Sequence, residues 1–305
     1  MPLSLCFKDK MNLLITGGTG FIGSALCARL LKNKHNITVL SRHPEKVEPS
    51  FIAIAEIEQL KDDALFDIVI NLAGEPIANK RWSNRQKQRI SSSRIATTQK
   101  LIEFLTKVEN KPKLLINGSA IGYYGINKTN NSIDETSVGD DSFSSQLCQQ
   151  WEAVALQAEA LGIRTCLLRT GIVLGKGGGA LSKMLLPFKF GFGGRIGHGK
   201  QWMSWIHIDD LLGIIMYCIE HNNLRGAING TSPYPVTNQV FTKVLGKVLK
   251  RPTIVPMPDV FVKLIMGQMG EELLLAGKKI LPVKILDAGY IFQYKKLEDA
   301  LKNAV

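Results

Sequence analysis

The stretch NLLITGGTGFIGSALCARLLK, residues 12–32, decides the fold. It opens with NLLIT, a short apolar run typical of a strand buried on both faces of a parallel sheet. Three glycines follow at G-x-x-G-x-x-G spacing, Gly17, Gly20 and Gly23, and a helical pattern runs from Phe21 to Lys32. A strand, a glycine turn and a helix in this order are typical of a dinucleotide-binding site.

Each glycine has its own physical reason. Gly17 allows the tight turn, Gly20 lets the backbone approach a pyrophosphate, and Gly23 lets the helix pack close to the strand. The helix N-terminus supplies amides and a positive dipole to the phosphates. The alternative interpretation is a turn with a purely structural role.

The next strand, NITVLSR at residues 36–42, selects the cofactor. An NAD site places Asp or Glu about 20 residues on, to bind the ribose 2′-hydroxyl. Here the strand ends in Ser41 and Arg42 with no acid. Because Arg pairs with a 2′-phosphate, NADP(H) is favoured. The alternative is that Arg42 is an ordinary exposed loop residue.

Strand and helix patterns alternate through the first two-thirds of the chain. Further strands are expected within residues 66–74, 113–125 and 163–175, and helices at about 84–107 and 144–161. The alternation predicts an α/β fold, a Rossmann-type doubly wound parallel sheet. Ligands bind such sheets at the carboxyl ends of the strands, where Gly17–Gly23, Arg42, Ala73–Gly74 and Ser119 would meet.

Composition restricts the class of protein. The 305 residues, 45% hydrophobic, suffice for one large domain or for a domain with a smaller cap. No apolar run reaches the roughly 18 residues of a membrane span, and we expect no membrane partner. The five cysteines show no close-spaced pair, so we expect no metal site, no disulfides and a cytoplasmic location. Residues 1–10 lack a signal-peptide pattern; they are either an N-terminal extension or the result of a wrongly assigned start, with Met11 as the first residue.

The net charge of +12 raises the question of nucleic-acid binding. The basic residues are spread out and do not alternate with aromatic residues as in a stacking platform, so no nucleic-acid partner is expected. Residues 79–94 are the densest basic stretch. A solvated helix face is the first interpretation, and a positive wall that attracts an anionic cofactor or substrate is the second.

Several motifs, in order, resemble a known family. They are TGGTGFIG, NLAGEPI, SAIGYYG, LRTGIVLGKGGGAL, GGRIGHGKQWMSWIHIDDL and NGTSPYPVTN. The chain resembles one branch of the atypical extended short-chain dehydrogenase/reductases, whose members are named epimerase-family proteins. The resemblance implies an NADP(H)-binding Rossmann domain at 11–175. Residues 176–305 would hold a lid loop, returning Rossmann elements and a small substrate domain, and a homodimer is common among such proteins.

The resemblance also assigns roles to single residues. The positions expected to contact the cofactor are Gly17, Thr19, Gly20, Phe21, Ile22, Gly23, Ser41, Arg42, Leu72, Ala73, Gly74 and Arg94. Of these, Ser41 and Arg42 would take the 2′-phosphate. Arg94 is either a phosphate contact or an ordinary Arg on a helix surface.

The Tyr-x-x-x-Lys pair of extended reductases is missing. That pair moves a proton to or from the substrate hydroxyl. With Glu152 aligned on the Glu that often follows the pair, Ser144 and Cys148 occupy the Tyr and Lys positions. The one literal match, Tyr124-x-x-x-Lys128, lies in a Gly/Asn loop too close to Ser119.

Ser119, Tyr124 and Cys148 are therefore the candidate catalytic residues, and each has a structural alternative. Ser119 is the best hydroxyl of the region, although counting back from Gly125 puts Ala120 at the usual serine position. Cys148 needs activation to react, because a thiol pKa lies near 8.5.

Residues 175–210 form a glycine-rich stretch that is either a substrate lid or a connector between domains. Its candidate substrate contacts are Arg195, Gln201, Trp205 and His207, with Trp202 and Trp205 as flat surfaces. Asp209 or Asp210 is expected to cap the next helix. An amphipathic helix is expected over 267–282.

Two functions of different classes remain open. The first is an NADP(H)-dependent oxidoreductase or epimerase acting on an unknown small polar or nucleotide-linked substrate. The second is a cofactor-binding module without turnover, which senses NADPH or docks on a partner.

Overall fold

The computed structural model describes residues 10–127 and 131–305. Cys6 and Lys128 lie outside these ranges, and so do most of the residues on which the choice of Met1 or Met11 as the start depends. The strands of the protein are β1 Asn12–Thr16, β2 Asn36–Leu40, β3 Ile52–Ile54, β4 Ile68–Asn71, β5 Leu114–Ala120, β6 Arg164–Thr170, β7 Ile172–Leu174, β8 Trp202–Met203, β9 Trp205–His207, β10 Gly226–Gly230 and β11 Val236–Thr237.

Seven of these strands form one parallel sheet in the order β10-β6-β5-β4-β1-β2-β3. Two short pairs lie outside it: β7 with β9, and β8 with β11. The predicted doubly wound parallel sheet is confirmed. Its order reverses between β1 and β4, which opens a crevice at their carboxyl ends.

Helices cover both faces of the sheet. They are α1 Phe21–Lys32, α2 Asn84–Lys107, α3 Phe143–Leu156, α4 Gly179–Lys189, α5 Ile208–Glu220, α6 Asn238–Leu249, α7 Asp259–Met266, α8 Gln268–Gly270, α9 Val283–Asp287 and α10 Leu297–Ala304. The predicted bounds of α1 and α2 are confirmed, and α3 continues into a 3-10 turn over Gln157–Leu161.

Two core layers explain why NLLIT is apolar throughout. Leu13 and Ile15 of β1 join the cluster that includes residues of α1 and α5, whereas Leu14 joins the cluster of α2 and α3. All three side chains are fully buried. A strand covered on both faces needs this continuous run rather than an alternating one.

The C-terminal third builds a separate core next to the sheet. Trp205, Phe241 and Leu301 pack together in a cluster formed by α4, α6, α10 and the short strands. This packing places Asn303 of α10 beside Thr19 and Gly20, at the mouth of the crevice.

Three sequence expectations about this third were wrong. Residues 267–282 do not form one helix: α8 is followed by a π-helical turn over Glu271–Leu275 and then by extended chain. A side chain at Gly277 would lie 2.1 Å from the Trp202 carbonyl oxygen, so the backbone passes too closely for a helix face. The stretch 175–210 is also not loop throughout, because it contains α4.

The third error concerns the start of α5. Its cap is His207, whose Nδ1 accepts a hydrogen bond from the Asp209 N–H. Asp210 is buried instead and accepts hydrogen bonds from the N–H groups of Gln293 and Tyr294. The distant segment needs a buried acceptor, so tertiary contacts decide the role of this Asp.

Candidate active site

The glycine turn after β1 forms a cradle without side chains. Gly17 has a φ of +71°, and a Cβ there would lie 2.6 Å from the Leu72 carbonyl oxygen. A Cβ at Gly23 would lie 2.1 Å from the Gly17 carbonyl oxygen. Gly20 caps α1 without a side chain, so the first amides of the helix remain available to an anion. The turn has the shape and the donors that a diphosphate needs.

The other turn residues have different surroundings. Thr19 is exposed, and Ile22 packs against the sheet core. The Phe21 ring lies against the glycines at 175–179, since a Cβ at Gly178 would lie 2.3 Å from the ring. Phe21 therefore joins the turn to the glycine-rich stretch.

A cavity of about 660 Å³ opens over this turn. Its walls combine the turn with the C-terminal third, and the lining residues are Thr19, Gly20, Phe21, Ser24, Ala25, Lys176, Gly177, Ile208 and Asn303. Lys176 adds an exposed positive charge to the amides of α1. The volume is typical of a site for a small organic molecule.

The end of β2 presents one exposed cation. The Arg42 side chain is 80% exposed, and its nearest carboxylate in the described chain, Glu75, lies 4.0 Å away. An exposed pair at this distance contributes little. Ser41 is buried, and its hydroxyl accepts a hydrogen bond from the His43 N–H. Arg42 is thus free to pair with an anion beside the glycine turn.

A second cation, Arg94, lies next to the chain that follows β4. The Ala73 N–H donates to the Thr16 hydroxyl, and a Cβ at Gly74 would lie 2.9 Å from the Arg94 guanidinium carbon. Arg94 donates to the carbonyl oxygens of Glu75 and Ile90. Burial lowers the pKa of Arg94 from its ordinary value. The helix-surface alternative does not describe this side chain, which lies against Gly74 and Glu75.

Buried amides and hydroxyls hold the strand ends in register. Asn71 accepts from the Thr16 hydroxyl at 2.5 Å and donates to the side-chain oxygens of Thr98 and Asn117. The Trp151 indole also donates to Thr98. This network ties β1, β4 and β5 to α2 and α3, so the crevice has a rigid floor.

A buried ion pair lies next to Ser119. The Ser119 hydroxyl donates to Glu152 Oε1 at 2.6 Å. Arg169 binds both carboxylate oxygens of Glu152, at 2.9 and 2.8 Å. Sequence reasoning used Glu152 only as an alignment marker and missed Arg169, although a charged residue inside the apolar strand LLRT is a signal for a buried partner.

Tyr124 belongs to the same network. Its hydroxyl donates to Asn229 Oδ1 at 2.7 Å and accepts from Arg169 at 3.0 Å. The side chain is fully buried, and burial raises the pKa of Tyr124 to about 12. Such a phenol is a poor proton-transfer group near neutral pH.

Ser144 and Cys148, at the positions of the missing Tyr-x-x-x-Lys pair, are both buried. Burial, and after it the charge of the nearby Glu152 carboxylate, raise the pKa of the Cys148 thiol to about 11. Ser144 donates its hydroxyl proton to Glu272 Oε2 at 2.7 Å. Glu272 also accepts from the N–H groups of Phe143 and Ser144, so the C-terminal third caps α3.

Three of the four expected substrate residues are internal. Trp205 is fully buried and donates to the Tyr234 carbonyl oxygen, so it offers no flat surface to a ligand. Gln201 donates to the carbonyl oxygens of Ile196 and Leu274. His207 is buried, and burial lowers its pKa from 6.5.

Arg195 is exposed, but it lines a different cavity of about 300 Å³ together with residues of α6. The residues 10–127 and 131–305 hold no cluster of three or more His, Cys, Asp or Glu that could bind a metal ion. Within the same ranges, no helix has the length and apolar character that a bilayer crossing requires.

Known proteins share this architecture over nearly the whole chain. Residues 13–229 match the model of the NAD dependent epimerase/dehydratase family, and residues 257–304 match a domain of unknown function, DUF1731. The epimerase family protein SDR39U1 homolog of Arabidopsis thaliana, described as chloroplastic, is 40% identical over 98% of this chain and 88% of its own. Epimerase family protein YfhF of Bacillus subtilis is 37% identical over 97% of this chain and 98% of its own.

A solved structure agrees with these relatives. The crystal structure of human epimerase family protein SDR39U1 (isoform 2) with NADPH superimposes with a TM-score of 0.86 at 36% identity. It covers 96% of this chain and 99% of the human one. The chain belongs to the NAD dependent epimerase/dehydratase family, in the SDR39U1-type branch of epimerase family proteins.

Proposed function

We propose that this protein is an NADP(H)-dependent oxidoreductase or epimerase of the extended short-chain reductase type, acting on a small polar or nucleotide-linked substrate. The observation that carries the proposal is the exposed Arg42 at the end of β2, beside a glycine turn with open helix amides. The NADPH in the human SDR39U1 crystal supports the same cofactor.

Different residues bind different parts of the cofactor. The amides after Gly20 bind the diphosphate, and Arg42 pairs with the 2′-phosphate. Leu72, Ala73 and Gly74 lie along the bound cofactor, with the Arg94 charge against Gly74. When bound, the nicotinamide supplies hydride exchange.

Ser119 is the hydroxyl that we assign to the substrate. Because it donates its proton to Glu152, its oxygen can accept a hydrogen bond from a substrate hydroxyl. Arg169 fixes Glu152 and thereby the orientation of Ser119. Ser119 then orients the substrate, while Tyr124 and Cys148 keep the surrounding structure.

A second candidate function is an NADPH-binding module without turnover. It is favoured by one observation, that Ser144 and Cys148 replace the proton-transfer pair and are both buried. The four described cysteines, all free and buried, fit a reducing compartment such as the cytoplasm under either function.

Turnover separates the two functions. Purified protein is incubated with NADPH and a metabolite extract, and the loss of reduced nicotinamide is followed by absorbance. A Gly23→Ala variant, whose new Cβ would overlap the Gly17 carbonyl oxygen, is the matched control without a cofactor site. Oxidation above this control supports the enzyme. An epimerase returns the hydride within each turnover, so the extract is also analysed for isomers formed above this control. Tight NADPH binding with neither oxidation nor isomer formation contradicts the enzyme and leaves the binding module.

A further inference from the structure

A large apolar surface lies exposed on the C-terminal third, away from the cofactor crevice. It is formed by residues 186–196, the end of α4 and the loop after it, and by residues 250–265, which include α7. We call it the apolar-basic face. Its most exposed apolar side chains are Leu186, Phe190, Phe192, Ile254, Val260, Phe261, Leu264 and Ile265, each between 55% and 80% exposed.

The two segments are neighbours in space. Ile196 and Met257 form a parallel bridge, and the Met257 N–H donates to the Arg195 carbonyl oxygen at 2.9 Å. Val255 donates to the Gly193 carbonyl oxygen. α7 follows directly, and its exposed residues 260, 261, 264 and 265 share one helix face, while Val262 is buried. Contiguous exposed apolar area of this kind marks an interaction surface.

The charge of this face indicates the partner. Five exposed basic residues accompany the apolar side chains: Lys189, Arg195, Lys250, Arg251 and Lys263. Asp259 is the one acidic residue in the two segments, whereas the whole chain has 38 basic and 26 acidic residues. Lys263 pairs with Glu271 at 3.1 Å, and the other four form no ion pair within the described ranges. The face is complementary to an anionic surface and repels a second copy of itself.

The shape of the face favours a lipid surface over a peptide. Residues that line a groove are shielded by its walls, but Phe190 and Phe192, which do not line the 300 Å³ cavity beside them, project with 70% and 68% of their surface exposed. Projecting Phe and Ile side chains with Lys and Arg around them are typical of segments that enter the interface of an anionic bilayer.

We propose that the apolar-basic face docks this protein on an anionic membrane surface, with Phe190, Phe192 and α7 in the headgroup region. The protein then lies on the bilayer and does not cross it. The sequence expectation of no membrane partner considered only spanning segments, and this proposal replaces it. It is independent of the proposed reaction, because the residues that line the cavity over the glycine turn include none of this face.

Vesicle co-sedimentation tests the proposal. The full chain is mixed with vesicles of phosphatidylcholine containing phosphatidylglycerol, and with vesicles of phosphatidylcholine alone. We expect sedimentation with the anionic vesicles only, and release at high salt. The Phe190→Ser/Phe261→Ser variant should bind at least about tenfold more weakly, since two apolar anchors are lost.

Two further double variants test whether vesicle binding depends on this face and on its basic residues. Ile52→Ser/Leu65→Ser removes two side chains of similar exposure, 63% and 60%, outside the face and should bind like the wild type. Lys189→Glu/Arg251→Glu should weaken binding to anionic vesicles by at least about tenfold. Circular dichroism and the thermal midpoint confirm that each variant is folded.

Three results would overturn the proposal. The first is no sedimentation with anionic vesicles. The second is equal binding by the wild type and the Phe190→Ser/Phe261→Ser variant, which places the contact elsewhere on the basic surface. The third is a dimer in lipid-free light scattering that the same variant dissociates, which makes the face an interface between copies.

Discussion

At the scale of single residues, the buried Glu152–Arg169 pair is the most consequential feature beside the cofactor crevice. Both side chains are about 95% buried, and their contacts reach Ser119 on one side and Tyr124 on the other. Removal of one partner from such a pair leaves an uncompensated charge in the interior. The pair therefore ties the candidate substrate hydroxyl to the stability of the fold.

Arg169→Met should cost about 3–5 kcal/mol of the free energy of unfolding, because Glu152 loses its counter-ion. Lys247→Met is the matched control: it breaks the exposed Lys247–Glu298 pair and should cost far less. Urea unfolding followed by circular dichroism measures both values. Equal costs for the two variants would show that the buried pair has no special role.

His207 gives a pH dependence whose sign follows from its burial. Burial lowers the pKa of His207 in the folded state, while Asp209 and Asn303 raise it by less. As the pH falls through the unfolded value, about 6.5, the unfolded chain gains a proton that the folded chain does not. The resulting loss of stability begins near that pH and grows until the lower folded pKa is reached.

His207→Asn removes this titration and keeps a side chain that can cap α5. Between about pH 7.5 and about pH 5.5, the variant should lose less unfolding free energy than the wild type, by up to about 1 kcal/mol. Urea midpoints at the two pH values test this. His35, whose pKa is also lowered, is present in both proteins, so it does not affect the difference. A larger loss in the variant than in the wild type would contradict the assignment.

At the scale of elements, the N-terminus of α3 is held by the C-terminal third. Ser142 at its N-cap makes no side-chain cap, and Glu272 accepts the hydrogen bonds of Phe143 and Ser144 instead. A carboxylate at this place also interacts favourably with the helix dipole. Glu272, some 130 positions away in the sequence, thus caps α3 in place of a neighbouring residue.

Glu272→Ala should destabilise the protein by about 1–2 kcal/mol, the usual range for loss of a helix cap. Its neighbour Glu271, whose pair with Lys263 is half exposed, provides the control, and Glu271→Ala should cost less than about 1 kcal/mol. The readout is the urea midpoint of each variant. A smaller cost for Glu272→Ala than for Glu271→Ala would be incompatible with capping across the two parts of the chain.

Local patterns predicted the elements that local physics determines. The bounds of α1 and α2 follow from the helical spacing of their apolar residues, and Ser83 caps α2 by accepting from the Gln86 N–H. The helix expected over 267–282 failed because Gly277 passes against Trp202, a contact that no local pattern contains. The capping of α3 by Glu272 could not be predicted either, because the two are far apart in the sequence.

The candidate site also has one part that local sequence patterns predict and one part that they do not. The glycine turn depends on one strand, one turn and one helix, so its fold could be predicted from spacing alone, while the role of Arg42 after β2 stays a prediction. Trp205 and His207 were expected at the substrate, but they are buried by α6, α10 and the segment around Tyr294. Burial against remote elements is a tertiary property, and the sequence offered no signal for it.

At the scale of the whole molecule, two surfaces of different chemistry lie on one chain. The crevice joins open helix amides, Arg42 and a cavity closed by the C-terminal third. The apolar-basic face lies on that third alone. The net charge of +12 favours anions at both places without selecting among them, so the local geometry provides the selectivity.

The central claim is that Arg42 reads the 2′-phosphate of NADP(H) beside the glycine turn. Its most direct test is the pair of dissociation constants for NADPH and NADH, measured by nicotinamide fluorescence on the wild type and on Arg42→Ala. We expect the wild type to prefer NADPH by at least about tenfold, or ~1.4 kcal/mol, and the variant to lose most of that preference while still binding NADH. Equal affinities in the wild type, or binding of neither nucleotide, would contradict this account.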